Sequence, residues 1–170
     1  MESKSISDPA GDNPNADTAV GEILGRQFFD NYIYNDELVL LFSDRIGLDY
    51  HMYFYNVDTD ILTDITGGAT GIIDVSRLEA DGSGNLFAIW IQDDAPNGER
   101  DLFLYNFATA TTTDISSVAT TGEVNYSSLG FETALTSTGD LIITWEEDGA
   151  PNGSHDQFIY NATTGITTNI

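Results

Sequence analysis

The sequence predicts an all-β fold made of three four-stranded antiparallel sheets, and three observations carry that prediction. The pair Tyr-Asn recurs as Tyr55-Asn56, Tyr105-Asn106 and Tyr160-Asn161, 50 and 55 residues apart, and Ile65, Ile115 and Ile170 repeat the same two spacings. Between these markers, short apolar runs alternate with turn residues, which is the punctuation of strands. No stretch sustains the 3.6-residue apolar period and the end caps of a helix.

The elements follow in order. Each unit opens on a Gly-led piece, Gly21-Glu22-Ile23, Gly71-Ile72-Ile73 or Gly122-Glu123-Val124. A first strand is expected near FFDNYI, SRLEA or FETALT, and a second near LVLLF, LFAIW or LIITW. Asp81-Gly82-Ser83-Gly84-Asn85 and Ser137-Thr138-Gly139-Asp140 supply tight-turn chemistry between these two strands. A third strand ends in Tyr-Asn, and a short Thr-rich strand closes the unit. Residues 1–18 (MESKSISDPAGDNPNADT) are expected to be a disordered leader of an exported protein. Residues 19–170 form the repeat domain, in units of about 19–66, 67–116 and 117–170.

Strand faces select the architecture. Leu102 and Leu104 point one way and Phe103, Tyr105 and Phe107 the other, while Leu86, Ala88 and Trp90 oppose Phe87, Ile89 and Ile91. A sheet apolar on both faces must lie between neighbours, as the blades of a β-propeller do. Three blades fall short of the four to eight of a closed ring. Completion by oligomerisation is therefore expected, as a homodimer forming a six-bladed ring and covering both terminal faces. The alternative that closes alone is a β-trefoil or β-prism.

Several residues resemble the blade of TolB-like bacterial β-propellers: Asp81-Gly82, Trp90, Asp93-Asp94, the run from Asp101 to Asn106, and Thr112-Thr113-Asp114-Ile115. The resemblance covers about residues 20–170 and implies the propeller blade. It departs from that family at Glu79-Ala80-Asp81-Gly82 and Thr136-Ser137-Thr138-Gly139, where a Trp-Ser-Pro-Asp-Gly lead-in is usual.

Composition narrows the function. Against 28 Asp+Glu stand only 5 Lys+Arg, a net charge of −23, which excludes a grip on nucleic acid and disfavours adsorption to anionic membranes. The absence of cysteine excludes disulfides, thiolate metal sites and a cysteine nucleophile. No nucleophile elbow, His-Glu-x-x-His pair or phosphate loop occurs. The repeated loops Asp93–Asp101 and Asp148–Asp156 place Asp93, Asn97 and Asp101, or Asp148, Asn152 and Asp156, at the first, fifth and ninth positions of a calcium-type loop. Calcium is the one cofactor they suggest. Ala95 or Ala150 stands at the third position, and Leu104 or Ile159 at the twelfth, where a bidentate glutamate belongs. The other reading is a hairpin turn, with Pro presetting φ and Asn-Gly supplying positive φ.

Trp90 and Trp145, with Phe42 in the equivalent place, are read as packing between blades rather than as a sugar platform. His51 and His155 are read as solvated hairpin flanks. The function these residues support is a non-catalytic binding or scaffold module with a protein or glycan ligand. The alternatives are a lectin-like threefold β protein and a carboxylate-based hydrolase drawing on acids such as Glu146 and Glu147 near a histidine.

The charge yields a direct expectation. The repeat domain, residues 19–170, contains no lysine and its cations are Arg26, Arg45, Arg77 and Arg100, so carboxylates repel one another across the surface and salt screens that repulsion. The urea midpoint of unfolding should rise between about 0.05 and about 1 M NaCl, since the screening length falls from above 10 Å to about 3 Å over that range.

Overall fold

The computed structural model of the chain describes residues 27–68, 71–94, 99–117, 123–124, 130–148 and 155–170. The expected leader, residues 1–18, lies outside them. Three antiparallel sheets are present, each a simple meander. The first contains β1 (Gln27–Tyr34), β2 (Glu37–Ile46), β3 (Asp49–Asn56) and β4 (Ile61–Asp64). The second contains β5 (Ile73–Ala80), β6 (Leu86–Asp94), β7 (Glu99–Asn106) and β8 (Thr111–Asp114). In the third, β10 (Phe131–Leu135), β11 (Leu141–Asp148), β12 (Asp156–Asn161) and β13 (Ile166–Asn169) repeat that order, and a two-residue strand β9 (Glu123–Val124) also pairs with β11. The third sheet thus has five strands where four were expected.

The recurring Tyr-Asn pair has a local cause. Asn56 Oδ1 accepts the backbone N–H groups of Asp58 and Thr59, both at 3.0 Å. Asn106 does the same for Ala108 and Thr109, and Asn161 for Thr163 and Thr164. An Asn at the end of the third strand therefore builds the turn into the fourth. The left-handed residue of that turn falls at Asp60, Ala110 and Gly165, with φ of 59°, 53° and 69°. The isoleucine markers close the unit with one shared bond, since Ile65, Ile115 and Ile170 each donate their N–H to the carbonyl of Met52, Leu102 or Gln157 at 2.9 Å.

The sheets stack face to face, with the second between the other two. At the first seam Val39, Leu41, Met52 and Ile65 meet Leu86, Ala88, Trp90, Phe103 and Tyr105. At the second, Phe87, Ile89, Ile91, Leu102, Leu104 and Ile115 meet Leu141, Ile143, Trp145, Phe158 and Tyr160. In each seam the aliphatic face of one sheet receives the aromatic face of the next. The aromatic face is built alike three times: Phe42 on Tyr53, Trp90 on Phe103 and Trp145 on Phe158 stack at centroid distances of 5.7, 5.6 and 5.6 Å. Burial of both faces of the second sheet is the blade arrangement, and it excludes a trefoil barrel or a prism, whose sheets each turn one face outward.

Polar ties fix the stacking angle. Thr112 Oγ1 donates to Ile65 O at 2.6 Å across the first seam, and Thr167 Oγ1 to Ile115 O at 3.2 Å across the second. The turns between first and second strands touch at the second seam, where Gly82 N–H reaches Gly139 O at 2.7 Å. A Cβ on Gly82 would lie 2.6 Å from Gly139 Cα, so this approach admits no side chain.

The two ends of the stack are unlike. On the first sheet the outward aromatic cluster of Phe42, Tyr53 and Tyr55 is already buried within the single chain, at 0%, 9% and 3% exposure. On the third sheet the register turns Ile142, Thr144, Glu146, Gln157 and Ile159 outward. The equivalent residues of the second sheet are Phe87, Ile89, Ile91, Leu102 and Leu104, all buried. Three of the five apolar positions have become polar: Thr144, Glu146 and Gln157. On the inner face of the third unit Tyr160 and Trp145 are covered by the second sheet, whereas Ile159 on its outward face is half-buried. Ile65 and Ile115 are 1% exposed and Ile170 is 68% exposed, the same contrast at the marker position.

Replacing Ile89 with Thr should cost about 2–3 kcal/mol, from lost apolar burial and a hydroxyl placed in a dry seam. The reciprocal change at the equivalent outward position, Thr144→Ile, should alter stability by no more than about 0.5 kcal/mol. Urea unfolding of both variants measures the difference between a seam and an open face.

Candidate functional site at the hairpin end of the seams

In each unit the second strand ends and the third begins at one end of the stack, the hairpin end, and polar side chains collect where the seams reach it. The register decides which of them meet. Asp93 pairs with Arg100 and Gln92 with Asp101, so Asp93 and Arg100 share one face of the second sheet while Gln92 and Asp101 share the other. Of the calcium candidates, Asp93 and Asp101 thus project to opposite faces, and Asp156 stands opposite Glu147 on β11. Asn97, Asn152 and the side chain of Asp148 lie outside the described residues. Among the described residues no group of three or more His, Asp or Glu side chains is gathered to hold a metal ion.

On the Asp93 face a cation is already present. Arg100 donates from Nε to Asp74 at 2.7 Å and from Nη1 to Glu123. One guanidinium therefore ties β7 to β5 of its own sheet and to β9 of the third. Burial pushes the Asp93 carboxyl above its ordinary value; the Arg100 charge opposes that rise, and Asp74 and Glu123 add to it. Three carboxylates around one guanidinium leave this corner net acidic.

On the aromatic faces a hydroxyl bridge recurs in the first and second sheets, with Asp64 on the face of Tyr53 and Asp114 on the face of Phe103. In the first sheet Thr66 Oγ1 accepts Met52 N–H at 2.9 Å and donates to Asp64 at 2.6 Å, while His51 Nδ1 lies 2.9 Å from the other oxygen of Asp64. Burial alone would raise the Asp64 carboxyl, but the hydrogen bonds from Thr66 and then His51 hold it below its ordinary value. In the second sheet Ser116 Oγ accepts Leu102 N–H at 2.9 Å and donates to Asp114 at 2.8 Å. The residue in the place of His51 is now Asp101, with Oδ1 3.4 Å from Ser116 Oγ.

Beside these bridges sit two equivalent buried polar side chains. Trp90 Nε1 donates to Gln92 Oε1 at 2.9 Å, and Gln92 Nε2 donates to Tyr50 O and Gly71 O at 3.0 and 3.1 Å. Trp145 Nε1 donates to Glu147 Oε1 at 2.8 Å, and Glu147 is 2% exposed. Burial pushes the Glu147 carboxyl up to about 7, with the Trp145 hydrogen bond opposing and the charges of Asp101, Asp114 and Asp156 reinforcing the rise. Its neighbour Glu146 faces outward and pairs with His155 at 2.7 Å. The two histidines thus stand apart, His51 on β3 beside Asp64 and His155 just before β12 beside Glu146, and the tryptophans are seam residues.

Sequence reasoning separates Glu146 from Glu147, because adjacent strand residues face opposite ways, but it singled out neither the Arg100 fork nor the burial of Glu147 beside Trp145. The signal for the second was present in the alignment of LFAIWIQ with LIITWEE, which sets Glu147 on Gln92. The signal for the first was absent, because Asp74 reaches Arg100 only through the strand order of the second sheet and Glu123 only through the stacking of the third upon it.

No protein-family profile matches the chain, and no curated protein matches it in sequence. Among solved structures, a fucose lectin from Kordia zhangzhouensis in complex with methyl-fucoside is similar over 82% of this chain and 95% of that one, with TM-score 0.54 and 7% identity. The likeness is one of fold. TolB from Acinetobacter baumannii aligns at TM-score 0.44 and 14% identity, covering 77% of this chain and 29% of that one. A mannose phosphorylase from Leishmania mexicana, MPT-4, aligns at TM-score 0.40 and 19% identity, over 84% of this chain and 50% of that one.

Replacing Arg100 with Ala should destabilise the chain by about 1–3 kcal/mol at pH 7, because Asp74, Asp93 and Glu123 then face one another without a cation. The loss should shrink toward pH 3, because burial holds the Asp93 carboxyl above its ordinary value and it takes up a proton on acidification. Urea titrations at the two pH values check both the magnitude and the direction.

Proposed function

We propose that the chain is an exported, non-catalytic binding module whose ligand is a glycan, held at the hairpin end of the stacked sheets. The observation that carries this reading is the shared fold with a fucose lectin over nearly the whole of that chain. Export rests on the polar, cysteine-free composition and is the lesser part of the proposal. The chemistry of the corner around Arg100 is compatible with a sugar. Asp74, Asp93 and Glu123 accept hydrogen bonds, Arg100 donates them, and the two seams hold the groups on rigid strands. A neutral polyol can bridge such donors and acceptors without adding to the −23 charge, whereas an anionic ligand would meet repulsion.

The test is a titration of the labelled chain with methyl-fucoside, followed by amide chemical shifts, alongside a glycan array. Saturable shifts on β5, β7 and β9 at about 1–10 mM sugar are expected, the affinity range of a single small-molecule contact. Glu123→Gln should weaken them severalfold. Unmoved spectra together with an empty array would sink the glycan reading.

A further inference from the structure

The second seam carries an acid where the first carries an amide, and the surroundings of the two differ in a way that concerns protons. Gln92 closes the first seam with three hydrogen bonds: its oxygen accepts from Trp90, and its nitrogen donates to a carbonyl of the first sheet, Tyr50 O, and to Gly71 O. Glu147 has the same place on its strand, the same tryptophan bond and the same burial, with 0% and 2% exposure for the pair. A carboxylate has no hydrogen to donate; a carboxylic acid has one.

The charged groups around Glu147 also favour the neutral form. β7 brings Arg100 and Asp101, β8 brings Asp114, β9 brings Glu123 and β12 brings Asp156, while Glu146 on β11 faces away toward His155. The guanidinium in this set is engaged by Asp74 and Glu123. An ionised Glu147 would add a further negative charge to a dry seam already bordered by carboxylates, at a cost that a proton removes.

We propose that Glu147 is carried as the neutral acid and that its proton supplies the donor which the Gln92 amide supplies one seam earlier, making the joint between the second and third sheets a proton-held latch. The latch is closed in mildly acidic to neutral surroundings and weakened in alkaline ones. The sign follows from linkage. The folded chain holds this proton more tightly than the unfolded chain, so stability falls as pH rises from the ordinary 4.5 toward about 7, and the full loss persists above it. The third sheet, held to the rest through this seam, is the part that loosens.

The experiment uses the two tryptophans as paired reporters, since Trp90 and Trp145 are the only ones in the chain. The indole N–H signals of the full chain are followed by NMR from about pH 4 to about pH 9, with Trp90→Phe assigning them. The Trp145 signal should move with a midpoint near 7, while the Trp90 signal, bonded to an amide, stays still. Glu147→Gln should abolish the movement. Its folding equilibrium constant should gain on the wild type by up to about two orders of magnitude between about pH 5 and about pH 8. Gln92→Glu should bring a similar pH dependence to the first seam. A Trp145 midpoint in the ordinary carboxylate range, no movement at all, or movement that survives in Glu147→Gln would overturn the proposal. Because the titration reads the unaltered chain, it decides the matter even if a variant does not fold.

Discussion

Every larger feature of this chain depends on one contact, the stacking of an aromatic sheet face on the aliphatic face of the sheet before it. Trp90 is fully buried because Leu41 and Met52 of the preceding sheet roof it, and Trp145 is buried by Ile89 and Ile91 in the same manner. A four-stranded meander by itself buries too little apolar surface to offset the entropy of ordering its residues. The second sheet solves this by being covered on both sides, and its neighbours by being covered on one. The cross-seam bonds from Thr112 and Thr167 then set how the faces meet, since each hydroxyl must reach a particular isoleucine carbonyl.

That dependence explains where chemistry can be placed. Side chains in the middle of a seam must be apolar, because an unpaired polar group there is costly. The most buried polar groups gather at the hairpin end, where the sheets run out and carbonyls and hydroxyls supply partners. Gln92, Ser116, Thr66 and Glu147 all lie at that margin, and each is tied to the backbone or an indole. Arg100 is the same solution for charge, a planar donor that serves two carboxylates from different sheets. Ser76 Oγ, buried in β5 without a partner, is the one departure among the described side chains.

The acidic surface sets the balance in which these ties operate. With a net charge of −23, each further buried carboxylate is opposed by many others. A seam that includes Glu147 is for that reason more sensitive to pH than one that includes Gln92, although the two side chains have nearly the same shape. The outward face of the third sheet uses neutral and paired groups instead: Thr144, Gln157 and the Glu146–His155 pair.

The amino-acid order by itself determined the unit and its strands. Tyr-Asn marked the turn because an Asn side chain acts within three residues, and the two-sided apolar runs of the second unit required neighbours on both faces, both being local properties. The polar substitutions at Thr144, Glu146 and Gln157 were equally visible as letters, but their meaning depended on which face β11 turned outward. Only the tertiary structure decided that. It likewise decided that Phe42, Tyr53 and Tyr55 are buried within one chain, that Asp93 and Asp101 part to opposite faces, and that Asp74 and Glu123 converge on Arg100. The physical reason is common to all three. Sequence spacing fixes what lies along a strand, whereas the register of pairing and the stacking of sheets fix what lies across, and charge and burial act across.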